Sequence, residues 1–312
     1  MDGIGGAVAN PELLAHAREG LSATPKRLSP KWLYDARGSA LFERITGLPE
    51  YDLTRTETAI LRECADDLAA LVPTGGALAE LGSGASVKTR LLLDAGRHFG
   101  AYVPIDISET FLLETAADLR TRYPALDVLP VVADFTAPVA LPEAVHDVPK
   151  VGFFPGSTIG NVPRATAVAL LRGARAWPGA RGFVLGADLV KDRADMIAAY
   201  DDAQGVTAAF IGNMLHRLNA EADAGFDPDA FRYEATWDAG RARIAMRLVS
   251  RRAQTVRLHD RTVRFEADEP IEISASRKFT PDSLSALAQD AGWRVERLLT
   301  DAEARFAVAV LA

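Results

Sequence analysis

The chain has 312 residues, enough for one large domain or two moderate ones, and its 48% hydrophobic and 25% charged content is that of an ordinary globular protein. A net charge of −7 argues against a nucleic-acid-binding surface. No apolar run reaches the roughly 18 residues of a membrane span, and a single cysteine, Cys64, excludes an internal disulfide.

Residues 1–6 lack the basic and apolar regions of a secretory leader, so a cytoplasmic protein is expected. A first helix is expected over 11–20. Residues 26–57 are dense in aromatics and turn formers, which suits a lid or site wall. From 58 to 192 helical and strand patterns alternate. Helices are expected over 58–72, 88–95, 109–122 and 164–176, with strands over 77–81, 101–105, 128–133, 150–154 and 182–188. Cys64 falls in the first of these helices and is expected as a buried structural thiol. Such alternation predicts an α/β fold with a doubly wound parallel sheet.

After Asp192 the pattern changes. Residues 193–224 are expected to be helical, and 231–277 alternate apolar and polar positions with turns near Asp238 and Asp260, predicting an antiparallel meander. A helix capped by Thr280 with Pro281 in its first turn follows, then strands over 293–299 and 306–311. The five histidines, 16, 98, 146, 216 and 259, show no metal-ligand spacing with Cys64 or an acidic motif, and no metal is expected.

The most informative stretch is Ala77-Leu-Ala-Glu80-Leu-Gly82-Ser83-Gly84, followed by Asp106 at the end of the next apolar run. Glycines let backbone approach a ligand, and an acid about 20 residues on accepts hydrogen bonds from ribose hydroxyls. A dinucleotide fingerprint has a third glycine for the pyrophosphate; here it is absent and Glu80 leads the turn. An acid in that place favours a cationic ligand without phosphate, and S-adenosylmethionine fits. Asp134 and Phe135, after the third strand, have the chemistry to meet an adenine amino group and stack on its ring.

Several segments together resemble one family. They are Lys31-Trp-Leu-Tyr34-Asp-Ala-Arg-Gly-Ser-Ala-Leu-Phe42, Leu48-Pro-Glu-Tyr51, Thr54-Arg-Thr-Glu57, Leu81-Gly82-Ser83-Gly84 with Lys88, Phe154-Pro-Gly156-Ser-Thr-Ile-Gly160-Asn161, and Asp188-Leu-Val-Lys-Asp192 with Tyr200. From about Leu28 onward the chain is similar to the histidine-specific S-adenosylmethionine-dependent methyltransferases, a family whose best-known member Nα-trimethylates histidine to hercynine in ergothioneine biosynthesis. The resemblance implies a Rossmann-like class I methyltransferase domain over 58–192 plus 281–312, and a substrate-binding α+β domain over 1–57 plus 193–280. It places the cofactor at Gly82, Ser83, Gly84, Lys88, Asp106, Asp134 and Phe135, with Tyr34 and Phe42 closing over it. It places the amino acid's amino and carboxylate groups at Tyr51, Gly156, Asn161 and Tyr200. Tyr51, Asn161 and Tyr200 are the expected catalytic set, since phenols and an amide hydrogen-bond a zwitterion without titrating near neutral pH. A monomer acting on a small amino acid, with no nucleic acid or membrane partner, is expected.

The chain departs from the family pattern at two places. Before its last helix the family reads acid-x-Ser-x-Lys-aromatic, the acid and serine binding the imidazole. Here the segment is Glu272-Ile-Ser274-Ala-Ser276-Arg-Lys278-Phe279, so Ser276 keeps the serine and Ser274 takes the acid's place. Glu272 lies about 6–7 Å away along a strand unless a bulge intervenes. A neutral pocket with Met246, Ser274 and Ser276 suits another aromatic, tryptophan-like amino acid, which remains an alternative substrate. Asp52 also replaces a second tyrosine. A non-catalytic cofactor-binding regulatory protein is the alternative of a different class.

Overall fold

The structure, a computed structural model, describes residues 8–312; residues 1–6, read above for a leader, lie outside the described residues. The chain divides into two compact units. One comprises Leu53–Val190 with Arg277–Ala312; the other comprises Lys191–Ser276 with the described part of Met1–Asp52.

The first of these units is a doubly wound α/β fold. Its sheet runs in the order Val295–Thr300, Phe306–Leu311, Ala180–Asp188, Lys150–Phe154, Ala77–Leu81, Ala101–Asp106, with the short strands Asp127–Val128 and Val131–Val132 beside the last. The strands from Ala180–Asp188 onward are parallel, and the last two strands of the chain add an antiparallel edge. Ala77–Leu81 and Lys150–Phe154 are buried at every position, as expected where helices cover both faces of a parallel sheet. Successive strands step outward from Ala77–Leu81 in one direction, then the order reverses to Lys150–Phe154. Ligands of such sheets bind outside the carboxyl ends at this reversal. Phe183, Leu185, Ala307, Ala309, Leu284 and Leu287 lie in the core, and the Trp293 indole N–H donates to the Leu171 carbonyl at 2.8 Å.

The other unit holds a four-stranded sheet in the order Lys26–Arg27, Pro270–Arg277, Arg243–Ser250, Phe231–Asp238. Its helices include Pro11–Ser22, capped by Asn10, Ala36–Thr46, capped by Asp35, and Val206–Glu221.

Five expectations need correction. The helix expected over 58–72 begins at Leu53, ends at Glu63 and resumes over Ala65–Ala69. Its inward stripe is Leu53, Glu57, Ile60 and Leu61, and the acid in that stripe hides the first turn from a hydrophobic-period reading. Cys64 therefore sits at the break, half-buried, and its thiol pKa is raised by burial and then by Glu63 and Asp67. The strand expected over 128–133 is split at Pro130, which has no N–H for the ladder.

The helical stretch 193–224 is two helices, Arg193–Ala198 and Val206–Glu221. Gly205 at φ +67° separates them, and Asp202 accepts from the Val206 and Thr207 amides, each at 2.8 Å. The single meander over 231–277 is also wrong. Gln254–Leu258 and Arg261–Phe265 form a separate hairpin, whose Phe265 packs edge-on to Phe231 at 5.4 Å. Alternation marks strands without naming their partners, and Lys26–Arg27, parallel to Pro270–Arg277, had no such signal.

Candidate functional site

At the carboxyl end of Ala77–Leu81 the chain turns through Gly82, Ser83 and Gly84. Gly82 and Gly84 have φ of +64° and +50°, a region that penalises a Cβ. The Gly82 and Ser83 amides donate to the Ile105 carbonyl at 2.8 and 3.2 Å. Asp106 is held through both oxygens: Oδ2 accepts from the Gly84 amide and Oδ1 from the Ser108 amide, each at 3.0 Å. Phe135 packs edge-on to Phe154 at 5.2 Å, and a Cβ on Gly82 would come within 3.3 Å of its ring. Asp134 accepts from the Thr136 amide and hydroxyl through Oδ1, at 2.9 and 2.6 Å.

Two features of this turn point to a ligand. A Cβ built on Gly84 would meet nothing within 4 Å, so the backbone there faces open space. The Ser83 hydroxyl is buried and has no hydrogen-bond partner among the described residues, an arrangement native proteins rarely leave unexplained. Beside a carboxylate, an unpaired hydroxyl and open backbone fit a ligand rich in hydroxyls, as a nucleoside is. Among the described residues, no three His, Cys, Asp or Glu side chains gather as a metal site.

Glu80 does not face this space. It is 1% exposed and accepts from the Thr89 hydroxyl at 2.5 Å and from the Tyr102 hydroxyl, which also contacts the Ser86 hydroxyl at 2.9 Å. Burial pushes its pKa up to about 7, against the pull of its Thr89 and Tyr102 hydrogen bonds. Contrary to the expectation from sequence, Glu80 does not select a cationic ligand: its carboxyl is tied to Thr89 and Tyr102 beneath the turn.

Lys88 pairs with Glu57, which accepts the Gly156 amide at 2.8 and 2.9 Å. Gly156 opens the turn after Lys150–Phe154 with φ +82°. Ser157 follows at φ +56°, and its hydroxyl accepts from the Asp188 amide at 2.9 Å. A short 3-10 turn, Thr158–Asn161, ends on an exposed Asn161. A Cβ on Gly160 would lie 2.6 Å from the Arg277 carbonyl, so the turn is pressed against the segment that carries Lys278. Lys278 and Asp188 form an ion pair at 2.5 Å, both at most 1% exposed.

In the other unit, Tyr51 and Tyr200 are buried and meet edge-on, with ring centroids 5.8 Å apart. The Tyr200 hydroxyl contacts the Ser276 hydroxyl at 2.8 Å, and the Tyr233 hydroxyl donates to the Tyr200 carbonyl at 2.5 Å. Burial pushes the Tyr233 pKa well up, so this phenol stays a donor. Tyr34, Phe42 and Phe210 form an aromatic triad with centroids 5.5–5.8 Å apart, Tyr34 remaining exposed. Asp52 pairs with Lys191 at 3.3 Å, which gives the residue in place of a second tyrosine a definite partner.

Met246 is buried on Arg243–Ser250, opposite Ala235. Glu272 lies 3.8 and 3.6 Å from Arg243 and Arg247, whose parity along their strand is the reverse of Met246. On Pro270–Arg277, Ile271 and Ile273 are buried and then Ser276, so the buried phase slips by one across Ser274 and Ala275. That slip separates Ser276 from the face of Glu272, which the sequence spacing puts together. Ser274 is half-buried.

Sequence reasoning missed Glu57, Phe210, Tyr233 and Lys191 as neighbours of the candidate residues. For Glu57 a signal existed: it is a charged residue four positions after Leu53 on an otherwise apolar stripe.

A family model described as histidine-specific methyltransferase, SAM-dependent, matches residues 13–312. The chain is 41% identical over 305 residues to the histidine N-alpha-methyltransferase of Mycobacterium tuberculosis and 42% identical over 307 residues to that of Mycolicibacterium smegmatis. Each match covers 94% of this chain and 92% of the relative. It is also 31% identical over 288 residues to ergothioneine biosynthesis protein 1 of Neurospora crassa, covering 86% of this chain and 31% of that longer protein.

Proposed function

The chain belongs to the family of histidine-specific, S-adenosylmethionine-dependent methyltransferases, and from that premise we propose that it methylates the α-amino group of L-histidine to the trimethylated betaine hercynine, within ergothioneine biosynthesis. The observation that carries this reading is the near full-length similarity to two histidine N-alpha-methyltransferases. The open glycine turn, with its unpaired Ser83 hydroxyl beside Asp106, supports a nucleoside ligand there.

When bound, S-adenosylmethionine supplies an electrophilic methyl on a sulfonium. In this reading Asp106 accepts from the ribose hydroxyls, Ser83 and the backbone of Gly82 and Gly84 line the nucleoside, and Asp134 and Phe135 meet the adenine. Lys88, Tyr34 and Phe42 complete the cofactor set. Gly156, Asn161, Tyr51 and Tyr200 hold the amino acid's amino and carboxylate groups, while Met246, Ser274 and Ser276 face its side chain. The substrate ammonium must lose a proton, and Tyr51 passes it toward water. Positioning and exclusion of water supply the acceleration; no enzyme nucleophile is needed. A single cytoplasmic chain acting on a small amino acid completes the reading.

A second substrate is favoured by one observation. Glu272 is engaged by Arg243 and Arg247, and Ser274 stands where the family has its imidazole acceptor. A neutral pocket suits a tryptophan-like side chain. Mass spectrometry of reactions with S-adenosylmethionine and each of the twenty amino acids tests both. Mono-, di- and trimethylated histidine are expected. Faster methylation of tryptophan replaces histidine as the substrate, and no methylated product from any amino acid overturns the proposal.

A further inference from the structure

Glu57 is a charged residue where an apolar one would complete the helix stripe of Leu53, Ile60 and Leu61. Its side chain is 1% exposed. A buried carboxylate destabilises unless charge and hydrogen bonds compensate it. Here both oxygens accept the Gly156 amide, at 2.8 and 2.9 Å, and the Lys88 ammonium pairs with Oε2. Gly186 leaves the room: a Cβ there would lie 2.1 Å from Oε1. A Cβ on Gly156 would approach the Lys88 Nζ to 3.6 Å, so ammonium and turn are neighbours across one carboxylate.

We infer that Glu57 is a positioning residue that fixes the Lys88 ammonium and the Gly156 turn in one relation, and so sets cofactor and amino-acid affinity through separate bonds. The inference rests on the assignment of Lys88 to the cofactor and Gly156 to the amino acid. A leucine at 57 would fill the helix stripe and leave both without their partner. The two arms are chemically separable. The side-chain carbonyl of Glu57→Gln keeps an acceptor for the Gly156 amide, but the anion facing Lys88 is gone. Glu57→Ala removes both.

Calorimetric titration of the full chain with S-adenosylhomocysteine, and with L-histidine at saturating S-adenosylhomocysteine, reads the split. For Glu57→Gln the S-adenosylhomocysteine dissociation constant is expected to rise roughly tenfold or more, the range of a hydrogen bond to a charged group. The histidine constant should stay within about twofold for this variant. Glu57→Ala is expected to raise both. If the alanine variant does not fold, the glutamine variant decides alone. A glutamine variant with the wild-type melting temperature that binds S-adenosylhomocysteine as tightly as wild type, or more tightly, overturns the inference, as does an equal rise in both constants. Failure of the wild-type protein to bind either ligand overturns the functional reading and this inference with it.

Discussion

Glu80 and Tyr102 share a buried hydrogen bond directly beneath the glycine turn. The pair fixes the floor of the turn, with Thr89 tying the same carboxyl to the first turn of the helix Thr89–Ala95. Because burial lifts the Glu80 pKa from 4.5 to about 7, the folded chain holds a proton across that window which the unfolded chain has released. Stability therefore falls as pH rises through the window, and the full penalty is present above it. Glu80→Gln removes the titration. The variant should show a flatter stability profile from about pH 5 to about pH 8 and be more stable than wild type at the upper end, by a few kcal/mol in order of magnitude. Denaturant unfolding at several pH values checks this; profiles that run parallel would refute it.

The Ser83 hydroxyl offers a cleaner probe of the ligand, because none of the described residues bonds to it. Ser83→Ala should leave the free protein as stable as wild type or more stable by up to about 1 kcal/mol, since an unpaired buried hydroxyl is removed. S-adenosylhomocysteine binding should weaken severalfold in the same variant. Melting curves with and without this ligand separate the two effects. A variant that loses stability while binding normally would mean that the hydroxyl serves the fold.

The parallel sheet was legible because its strands are short apolar runs punctuated by glycines and acids, and because Thr280 and Pro281 mark a helix start that the structure bears out with a Thr280–Ser283 capping box. Pairing of the later strands was not legible. Alternation in Thr-Val-Arg-Leu258 and Thr-Val-Arg-Phe265 says that one face is wet, not which strand lies beside it. The candidate site was half legible for a similar reason. Gly82, Gly84 and Asp106 announce themselves by residue type, whereas Glu80 is a carboxylate in an apolar run and Glu57 one on an apolar helix stripe. Only packing shows that they serve Tyr102, Thr89, Lys88 and Gly156.

Asn161 and Tyr200 allow a test of the proposed amino-acid grip. Asn161 is exposed at the end of its turn, so Asn161→Ala should leave stability within about 0.5 kcal/mol. It should raise the Michaelis constant for histidine far more than that for S-adenosylmethionine. Tyr200→Phe removes the contact with Ser276 and should also raise the histidine constant, at a stability loss of about 1 kcal/mol. Steady-state kinetics with each substrate varied in turn measure the ratio. Equal rises for both substrates would count against the assigned roles.

Gly186 lies mid-strand, paired with Val308, and its lack of a side chain is what admits the Glu57 carboxylate. A Cβ there would stand 2.1 Å from Oε1 and 3.2 Å from the Gly156 amide nitrogen, so Gly186→Ala cannot be absorbed by a rotamer change at an open surface. The carboxylate must withdraw from both the Gly156 amide and Lys88. A loss of about 1–3 kcal/mol is expected from the overpacking. The clash needs the carboxylate, so Gly186→Ala in a Glu57→Ala background should add little further loss. Residues that share one contact do not behave additively. Urea unfolding of the two single variants and the double variant closes the cycle. Additive losses would show that Gly186 is small for a reason unrelated to Glu57.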